Sequence, residues 1–243
     1  MNARNQLLCL WSGFGFFVFY GISFAVMADF LFPVPPPSMS ADQVVALFRE
    51  HGTIIRIGMF IGITASVLYV PWSVALFAQT KRIEQGRVAV LSYVVMITGF
   101  LNFGLFATPS ALWMLAGFSV EFRPDLPAYG IQLINDTAWL LFVLLYSPAA
   151  GQAISLGIVG LRDTRENPIL PRWVSYFSIW VGLTFVPAGV VALFIDGPFA
   201  WNGVIAIYIP LATYGSWFLI IAPYMHKAIR REEREDAQLA LSG

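Results

Sequence analysis

A small set of polar and aromatic side chains stands inside or beside long apolar runs, and these residues are the ones able to do chemistry. The set contains Asp29, Arg56, Asn102, Asn135, Asp136, Trp139, Gln152 and Asp196. A carboxylate that faces an apolar pocket can act as a general acid, and Asp136 and Asp29 are the candidates for this role. The Arg56 guanidinium can pair with one of these carboxylates or steer an anionic head group.

Cofactor and metal chemistry is not indicated by the residue types present. The two histidines, His51 and His226, fall at opposite faces of the predicted membrane and cannot ligate one haem. Cys9 is the single cysteine, which excludes an intrachain disulfide. The glycines of Gly13-Phe14-Gly15 lie within an apolar run and indicate helix packing, not a phosphate loop. We therefore expect no cofactor and no metal.

The composition predicts that these residues are positioned by membrane helices. The chain has 243 residues, of which 58% are hydrophobic and 12% charged, and its mean hydropathy is +0.72. Soluble domains are about half apolar and about a quarter charged. A net charge of zero argues against nucleic acid as a partner. The lipid bilayer is therefore the expected partner, and the fold class is an all-α integral membrane protein.

Six apolar runs are long enough to cross a bilayer, and they predict one six-helix bundle. The predicted spans are 6–32, 53–80, 88–107, 129–161, 173–195 and 202–225, followed by a helical cytoplasmic tail over 226–243.

The sequence also predicts a small cap on the outer side, formed by residues 33–52 and 108–128. Within it, Ser40 and Gln43 match a capping box that opens an interfacial helix over 41–50. The apolar stretch 111–118 is too short to span and is either a helix extension or a segment at the interface.

The positive charges predict the orientation. Eleven of the fourteen Lys and Arg residues fall on one side of the predicted spans, and only Arg49, Arg56 and Arg123 fall on the other. By the positive-inside rule, both termini are cytoplasmic in a multi-pass protein of the inner (plasma) membrane. The eight tryptophans fall mostly near span ends, as expected for an aromatic belt.

The depth of the charged residues along their helices allows two interpretations. Asp29, Arg56, Asp136 and Asp196 each lie roughly 36–39 Å along a helix from the basic side, which is farther than the thickness of the hydrocarbon core, about 30 Å. They are either anchors at the outer headgroups or the rim of an outward-facing cavity. Asn102 is deeper, roughly 22 Å from Arg87, and either lines the cavity floor or forms an interhelical hydrogen bond.

A short internal repeat suggests that the second and fourth spans correspond. Leu68-Tyr69-Val70-Pro71 resembles Leu145-Tyr146-Ser147-Pro148, and both runs cross in the same direction. Such pairs are typical of duplicated hairpins in transporters, although short matches in apolar sequence also arise by chance.

Three further stretches carry a resemblance. They are Asn135-Asp136-Thr137-Ala138-Trp139, Pro171-Arg172-Trp173 and Gly197-Pro198-Phe199-Ala200-Trp201-Asn202-Gly203. With the six-span layout, they resemble a group of small bacterial inner-membrane proteins that has no established activity. The resemblance covers the second half best and implies fold and location only. Independently, Gly197-Pro198 and Asn202-Gly203 predict a tight outer turn.

We expect this protein to bind or pass a small apolar or amphipathic molecule through a cavity open toward the outer face. The polar rim above an aromatic interior, in a chain with 21 phenylalanines, has the usual composition of a ligand pocket. Two other functions stay open: a cofactor-independent membrane isomerase or cyclase, and a non-catalytic accessory subunit of an oligomer or membrane complex.

Overall fold

The computed structural model describes residues 3–84 and 88–242, and all regular structure in these residues is helical. The α-helices are α1 (Ala3–Gly21), α2 (Ala41–Ser66), α3 (Tyr69–Lys81), α4 (Val90–Phe122), α5 (Ala128–Leu144), α6 (Ser147–Leu161), α7 (Arg172–Thr184) and α8 (Ile209–Ser242).

The described helices combine into six segments long and apolar enough to cross a membrane. These spans are Ala3–Met27, Ala41–Lys81, Val90–Phe122, Ala128–Leu161, Arg172–Leu193 and Val204–Leu241. The prediction of an all-helical, polytopic membrane protein is confirmed at this level. We call the end of the bundle where α1 begins and Gln6 meets Glu232 of α8 the terminal end, and the opposite end the distal end.

Irregular helical backbone is concentrated toward the distal end. The first span finishes in a π-helix, Ile22–Met27, and the sixth begins with another, Val204–Tyr208. The fifth span finishes in a 3₁₀ helix, Val186–Leu193. Non-helical or distorted backbone at membrane depth is tolerated where it is buried in protein or lines a cavity. The distal half is therefore the part of the bundle in which a site is expected.

The second span begins earlier than the sequence predicted. The capping box is confirmed, because Gln43 N donates to Ser40 Oγ at 3.3 Å and Ser40 N donates to Gln43 Oε1 at 2.8 Å. However, α2 continues without a break to Ser66, so the predicted separate interfacial helix over 41–50 is wrong. Apolar residues on both sides of His51 keep one continuous face buried, which favours a single helix.

The third span also extends further than predicted. Helix α4 continues through Pro109 to Phe122, so the stretch 111–118 extends the helix and is not a separate segment. Its distal part packs along α2, where the Arg56 side chain lies close to Gly117. The distal extensions of α2 and α4 therefore support each other.

The repeated motifs of the second and fourth spans occupy corresponding positions. Helix α2 gives way to α3 at Val67–Leu68, and α5 gives way to α6 at Leu145–Tyr146. Both interruptions occur where the two Leu-Tyr-x-Pro motifs lie, because proline removes a backbone donor and clashes with the preceding turn. Duplication of the hairpins stays a prediction, but the two motifs interrupt their spans in the same way.

Four tryptophans form much of the bundle core, and for Trp72, Trp113 and Trp217 the aromatic-belt prediction is wrong. Trp72, Trp113, Trp139 and Trp217 have no exposed surface. Trp72 packs so closely on Gly13 that a Cβ there would meet the indole ring, which confirms the packing role predicted for that glycine. Trp11, Trp173 and Trp180 are about half exposed, as belt residues are.

Polar contacts link helices at the terminal end of the bundle, and a tight turn lies at the distal end. At the terminal end, Gln79 Nε2 donates to Gln6 Oε1 and to Glu232 Oε2, both at 2.7 Å. At the distal end, Gly197 has φ of 80°, and a Cβ at Gly203 would collide with Pro198. The predicted tight turn is confirmed, and both positions require glycine, whereas its location on the outer side stays a prediction.

Candidate functional site

A network of buried hydrogen bonds joins four helices in the interior of the bundle. Its hub is the fully buried Gln152, whose Oε1 accepts hydrogen bonds from the Tyr69 hydroxyl and from Asn102 Nδ2, the latter at 3.3 Å. Gln152 Nε2 donates to Ser73 Oγ and to the Val95 carbonyl, both at 3.2 Å. The carboxamide of Gln152 thus connects α3, α4 and α6.

Tyr214 brings α8 into the same network. Its hydroxyl is hydrogen-bonded to the Tyr69 hydroxyl and accepts a hydrogen bond from Asn102 Nδ2 at 3.4 Å. Asn102 Oδ1 has no hydrogen-bond partner among the described residues. An unsatisfied buried polar group costs about 1–3 kcal/mol. The Asn102 carbonyl oxygen is therefore an acceptor that a bound donor would stabilise.

Local sequence explains why these groups meet. Tyr69 is the first residue of α3, and Ser73 follows one turn later on the same face. On the facing helix, a Cβ at Gly99 would collide with Ser73 Oγ and Gln152 Nε2. Gly99 therefore leaves the space in which the Gln152 carboxamide reaches across to α3.

An apolar cavity of about 60 Å³, which we call the inner cavity, lies beside Tyr214. Its walls include Phe106, Phe142, Phe185 and Pro210. The inner cavity has room for a small apolar group next to a hydrogen-bonded phenol.

A larger cavity of about 310 Å³, which we call the distal cavity, opens at the distal end. Asp136 supplies the one charged side chain among the described residues that line it, and Leu140, Val191 and Phe194 are among its apolar walls. Trp201 forms another wall and is held in place by donating from Nε1 to the Pro35 carbonyl at 2.8 Å.

The 3₁₀ helix Val186–Leu193 contributes to both cavities. Ala188 lines the inner cavity, whereas Val191 and Leu193 line the distal cavity. Runs of 3₁₀ helix longer than three or four residues are uncommon, and a stretch within a longer helix often marks a hinge. This segment has eight residues and forms a shared wall between the two spaces.

Three predicted site residues lie on consecutive turns of α5. Asp136 is partly buried and accepts a hydrogen bond from Asn135 Nδ2 at 3.3 Å. Asn135 is buried, and its Oδ1 has no partner in the described part of the chain. Trp139 is in the core, with its ring 4.9 Å from that of Trp113 and stacked 6.4 Å from that of Trp201. Trp139 therefore supports the wall that Trp201 forms.

Arg56 and Asp29 do not join Asp136, which corrects the predicted pairing. The Arg56 guanidinium forms its ion pair with Glu121, at 3.9 Å, and lies 5.3 Å from the centre of the Phe122 ring. No ion pair joins it to either aspartate among the described residues. Asp29 is exposed and has φ of 53°, a conformation that Asp tolerates because of its short polar side chain. Asp29 therefore lies where the first span ends, not on the rim of the distal cavity.

Sequence reasoning placed Asn102 correctly inside the bundle but missed its partners. Tyr69 and Tyr214 are the residues missed, because a tyrosine in an apolar run is hard to distinguish from a core aromatic residue. The only available signal was the position of Tyr69 in a motif repeated at Tyr146. The sequence indicated Gln152 as a polar residue within a span, but no role was assigned to it.

The described residues contain no group of three or more His, Cys, Asp or Glu placed to hold a metal ion. The six apolar spans define the class as an all-helical polytopic membrane protein, here with a hydrogen-bond network buried inside an otherwise apolar core. No protein-family model, no curated protein and no solved structure matches the chain.

Proposed function

We propose that this protein binds or passes a small apolar or amphipathic molecule through the distal cavity. The observation that carries the proposal is the Asp136 carboxylate set in an otherwise largely apolar wall around about 310 Å³. Ligand sites typically combine apolar and aromatic walls with a few polar groups that orient the ligand. Asp136 and Trp201 provide that combination at an open end of the bundle.

The charge of the distal cavity indicates which head group it accepts. A carboxylate at an apolar wall favours a cationic group or a hydrogen-bond donor. Arg56, which the sequence suggested as a steering group for anions, is paired with Glu121 and does not line this cavity. The proposed ligand is therefore an amphipathic molecule with a positive or donating head and an apolar body.

The proposed route for passage runs along one segment that lines both cavities. The 3₁₀ helix Val186–Leu193 borders both, so a displacement of this segment would connect the distal cavity with the inner cavity beside Tyr214. The unused acceptor Asn102 Oδ1 lies in the network to which Tyr214 belongs. A donor that reached this level would satisfy a group that the described residues leave unpaired.

We also propose that the distal end faces outward and that both termini are cytoplasmic, in a bacterial inner membrane. The support is the sequence distribution of Lys and Arg, eleven of which fall on the side that the sequence predicts to be cytoplasmic. In this orientation the distal cavity takes its ligand from the outer side.

One observation favours a second candidate, a cofactor-independent isomerase or cyclase. Asp136 is a partly buried carboxyl group at an apolar wall, which is the environment of many general acids. Such an enzyme needs a pocket that excludes water, however, and the distal cavity is open. We therefore favour binding or passage. No contact in the structure bears on the third possibility, an accessory subunit.

The proposal is tested with three probes of similar shape and different charge: benzyltrimethylammonium, benzenesulfonate and tert-butylbenzene. Binding to the purified protein in lipid nanodiscs is measured by saturation-transfer NMR. We expect saturable binding of the cation and weak or no binding of the sulfonate. Asp136→Asn should weaken binding of the cation about 10-fold and leave the neutral probe unchanged, because it removes the charge and keeps the shape.

Asp29→Asn is the matched control, since it removes an exposed carboxylate from the same end of the bundle without touching the distal cavity. Equal loss of cation binding in both variants would show that a general surface charge attracts the probe, and would overturn the proposal. If the unaltered protein converted a ligand chemically and Asp136→Asn did not, the protein would instead be an enzyme.

A further inference from the structure

A pocket at the terminal end, unrelated to the distal cavity, is formed between the connection that precedes α7 and the last part of the sixth span. It has a volume of about 280 Å³. Lys227 and Arg231, one turn apart on α8, supply its charged side chains, and Asn167, Ile169 and Tyr224 are among the remaining walls. We call it the basic pocket.

Arg231 is fixed in position by the backbone of the facing connection. Its Nη1 donates to the Asn167 carbonyl at 2.7 Å. A guanidinium has five N–H donors, so most of them stay available to a ligand. The Lys227 Nζ lies 5.9 Å from the centre of the Tyr224 ring, which keeps the ammonium close to the pocket.

Neither cation of the basic pocket has a carboxylate partner within ion-pair distance in the described part of the chain. The nearby basic residues Arg82, Arg165 and Arg230 are each paired with an acidic side chain, at 2.7–2.9 Å. Two uncompensated positive charges in one concave site attract an anion, and the fork of Arg donors matches the oxygens of a phosphate group.

The surroundings of the pocket place it at the membrane surface. Trp173 packs edge-on against Tyr224 with 6.1 Å between ring centres, and Trp173 is about half exposed. Trp and Tyr are enriched where headgroups meet the hydrocarbon core, and basic pockets between helices at this level bind phosphate-bearing head groups. A phosphate in this pocket would therefore be attached to acyl chains lying along α7 and α8.

We propose that the basic pocket binds the phosphate group of an anionic phospholipid. Lys227 and Arg231 contact the phosphate oxygens, while Tyr224 and Trp173 lie at the level of the glycerol and upper acyl chains. The site is independent of any ligand of the distal cavity.

The test is native mass spectrometry of the full-length protein released from nanodiscs that contain equal amounts of phosphatidylglycerol and phosphatidylcholine. We expect one phosphatidylglycerol to be retained in preference to phosphatidylcholine. Replacing both cations, Lys227→Gln with Arg231→Gln, should lower the retained fraction about 10-fold, since each basic residue near the surface contributes to binding anionic lipid. In the unaltered protein, retention should also fall with increasing salt.

The matched control is Lys81→Gln with Arg234→Gln, which removes two exposed positive charges from the same end outside the basic pocket. This control should retain phosphatidylglycerol. Equal retention of both lipids, or an equal loss in the two double variants, would overturn the proposal. Saturation of the site by inorganic phosphate at the concentrations at which lipid binds would show that a free anion is the ligand, which would also overturn the lipid assignment.

Discussion

The Asn102 side chain donates a hydrogen bond from Nδ2 to Gln152 Oε1 at 3.3 Å, and this contact links the third span to the fourth where neither side chain meets solvent. Within a bilayer the hydrophobic effect does not hold helices together, so packing and interhelical hydrogen bonds determine their association. The pair therefore stabilises the bundle and also fixes the Asn102 oxygen, which no other described residue contacts by a hydrogen bond.

Replacing Gln152 with Leu should destabilise the protein by about 1–2 kcal/mol, because it leaves the Tyr69 hydroxyl and Asn102 Nδ2 with fewer partners. The measurement is unfolding in mixed micelles by a denaturing detergent. Thr98→Val is the control, since the Thr98 hydroxyl bonds only to carbonyls of its own helix. If both variants lose the same stability, the network does not join the helices energetically.

Gly99 and Gly104, on the same helix, should respond oppositely to alanine. A Cβ at Gly99 would collide with Ser73 Oγ and Gln152 Nε2, so Gly99→Ala should cost about 1–3 kcal/mol of stability. A Cβ at Gly104 meets nothing within 4 Å, so Gly104→Ala should be neutral or stabilising by up to about 1 kcal/mol. Thermal unfolding of the two variants, side by side, provides the measurement. If the Gly99→Ala and Gly104→Ala variants were equally stable, the tight contact at Gly99 would be contradicted.

The ion pair of Arg56 and Glu121 should contribute little to stability. Their side chains are 19% and 57% exposed, and exposed pairs usually contribute about 0.2–1 kcal/mol. A double-mutant cycle with Arg56→Ala and Glu121→Gln should give a coupling in this range. The corresponding cycles of Arg56 with Asp29 and Asp136 should be additive within about 0.5 kcal/mol. A coupling above that value with Asp136 would restore the pairing that the sequence suggested.

Asp163, in the connection before α7, should make stability depend on pH. Burial raises the pKa of this carboxyl. The hydrogen bonds from Arg165 and from the Ile169 N–H lower the pKa by more, so that it lies below its ordinary value. Both hydrogen bonds from the Arg165 guanidinium are 2.7 Å long, the one from Ile169 N is 2.8 Å long, and the Asp163 side chain is 1% exposed.

A lowered folded-state pKa stabilises the protein above the unfolded-state pKa, and this stabilisation is lost as pH falls through the folded value. Asp163→Asn should therefore be less stable than the unaltered protein at pH 7, by about 1–3 kcal/mol. This difference in the free energy of unfolding should shrink once the pH falls below 3.8, the ordinary pKa of the carboxyl group. Urea unfolding between pH 3 and pH 7 measures it, with the exposed Asp125→Asn as control. A difference that is constant across this range would exclude the charge as its origin.

Reporter fusions test the proposed orientation. Fusions after Arg87, Arg165 and Arg234 should be cytoplasmic, and fusions within 33–48 or 120–127 should be external, because the excess of Lys and Arg stays inside. An alkaline phosphatase and a fluorescent reporter at each point give complementary signals. A cytoplasmic result at 120–127 would rule out the six-span arrangement.

Much of the fold could be predicted from the sequence, because apolar runs and charge positions report directly on membrane spans. The six spans, the Ser40–Gln43 capping box and the turn at Gly197 all follow from local rules. Helix ends were less predictable: α2 and α4 continue past polar residues because their distal extensions pack on each other, and tertiary contact is not visible in local sequence.

The site was harder to predict than the fold. Asp136 and Asn102 stand out in sequence because polar groups are costly in a bilayer. Tyr69, Trp201 and Tyr214 do not stand out, since aromatic residues are common in such a chain. Their roles depend on three-dimensional partners, such as the Pro35 carbonyl that orients Trp201.

Helix α8 runs without interruption over 34 residues, which corresponds to about 51 Å and exceeds a hydrocarbon core of about 30 Å. Along this one helix lie Tyr214, the basic pair Lys227 and Arg231, and Glu232, which accepts hydrogen bonds from Gln6 and Gln79. Pro223 lies between Tyr214 and Lys227, and a proline inside a helix removes one backbone hydrogen bond. A single helix therefore carries both the network residue Tyr214 and the polar contacts of the terminal end, and Pro223 marks the position at which its two halves can bend.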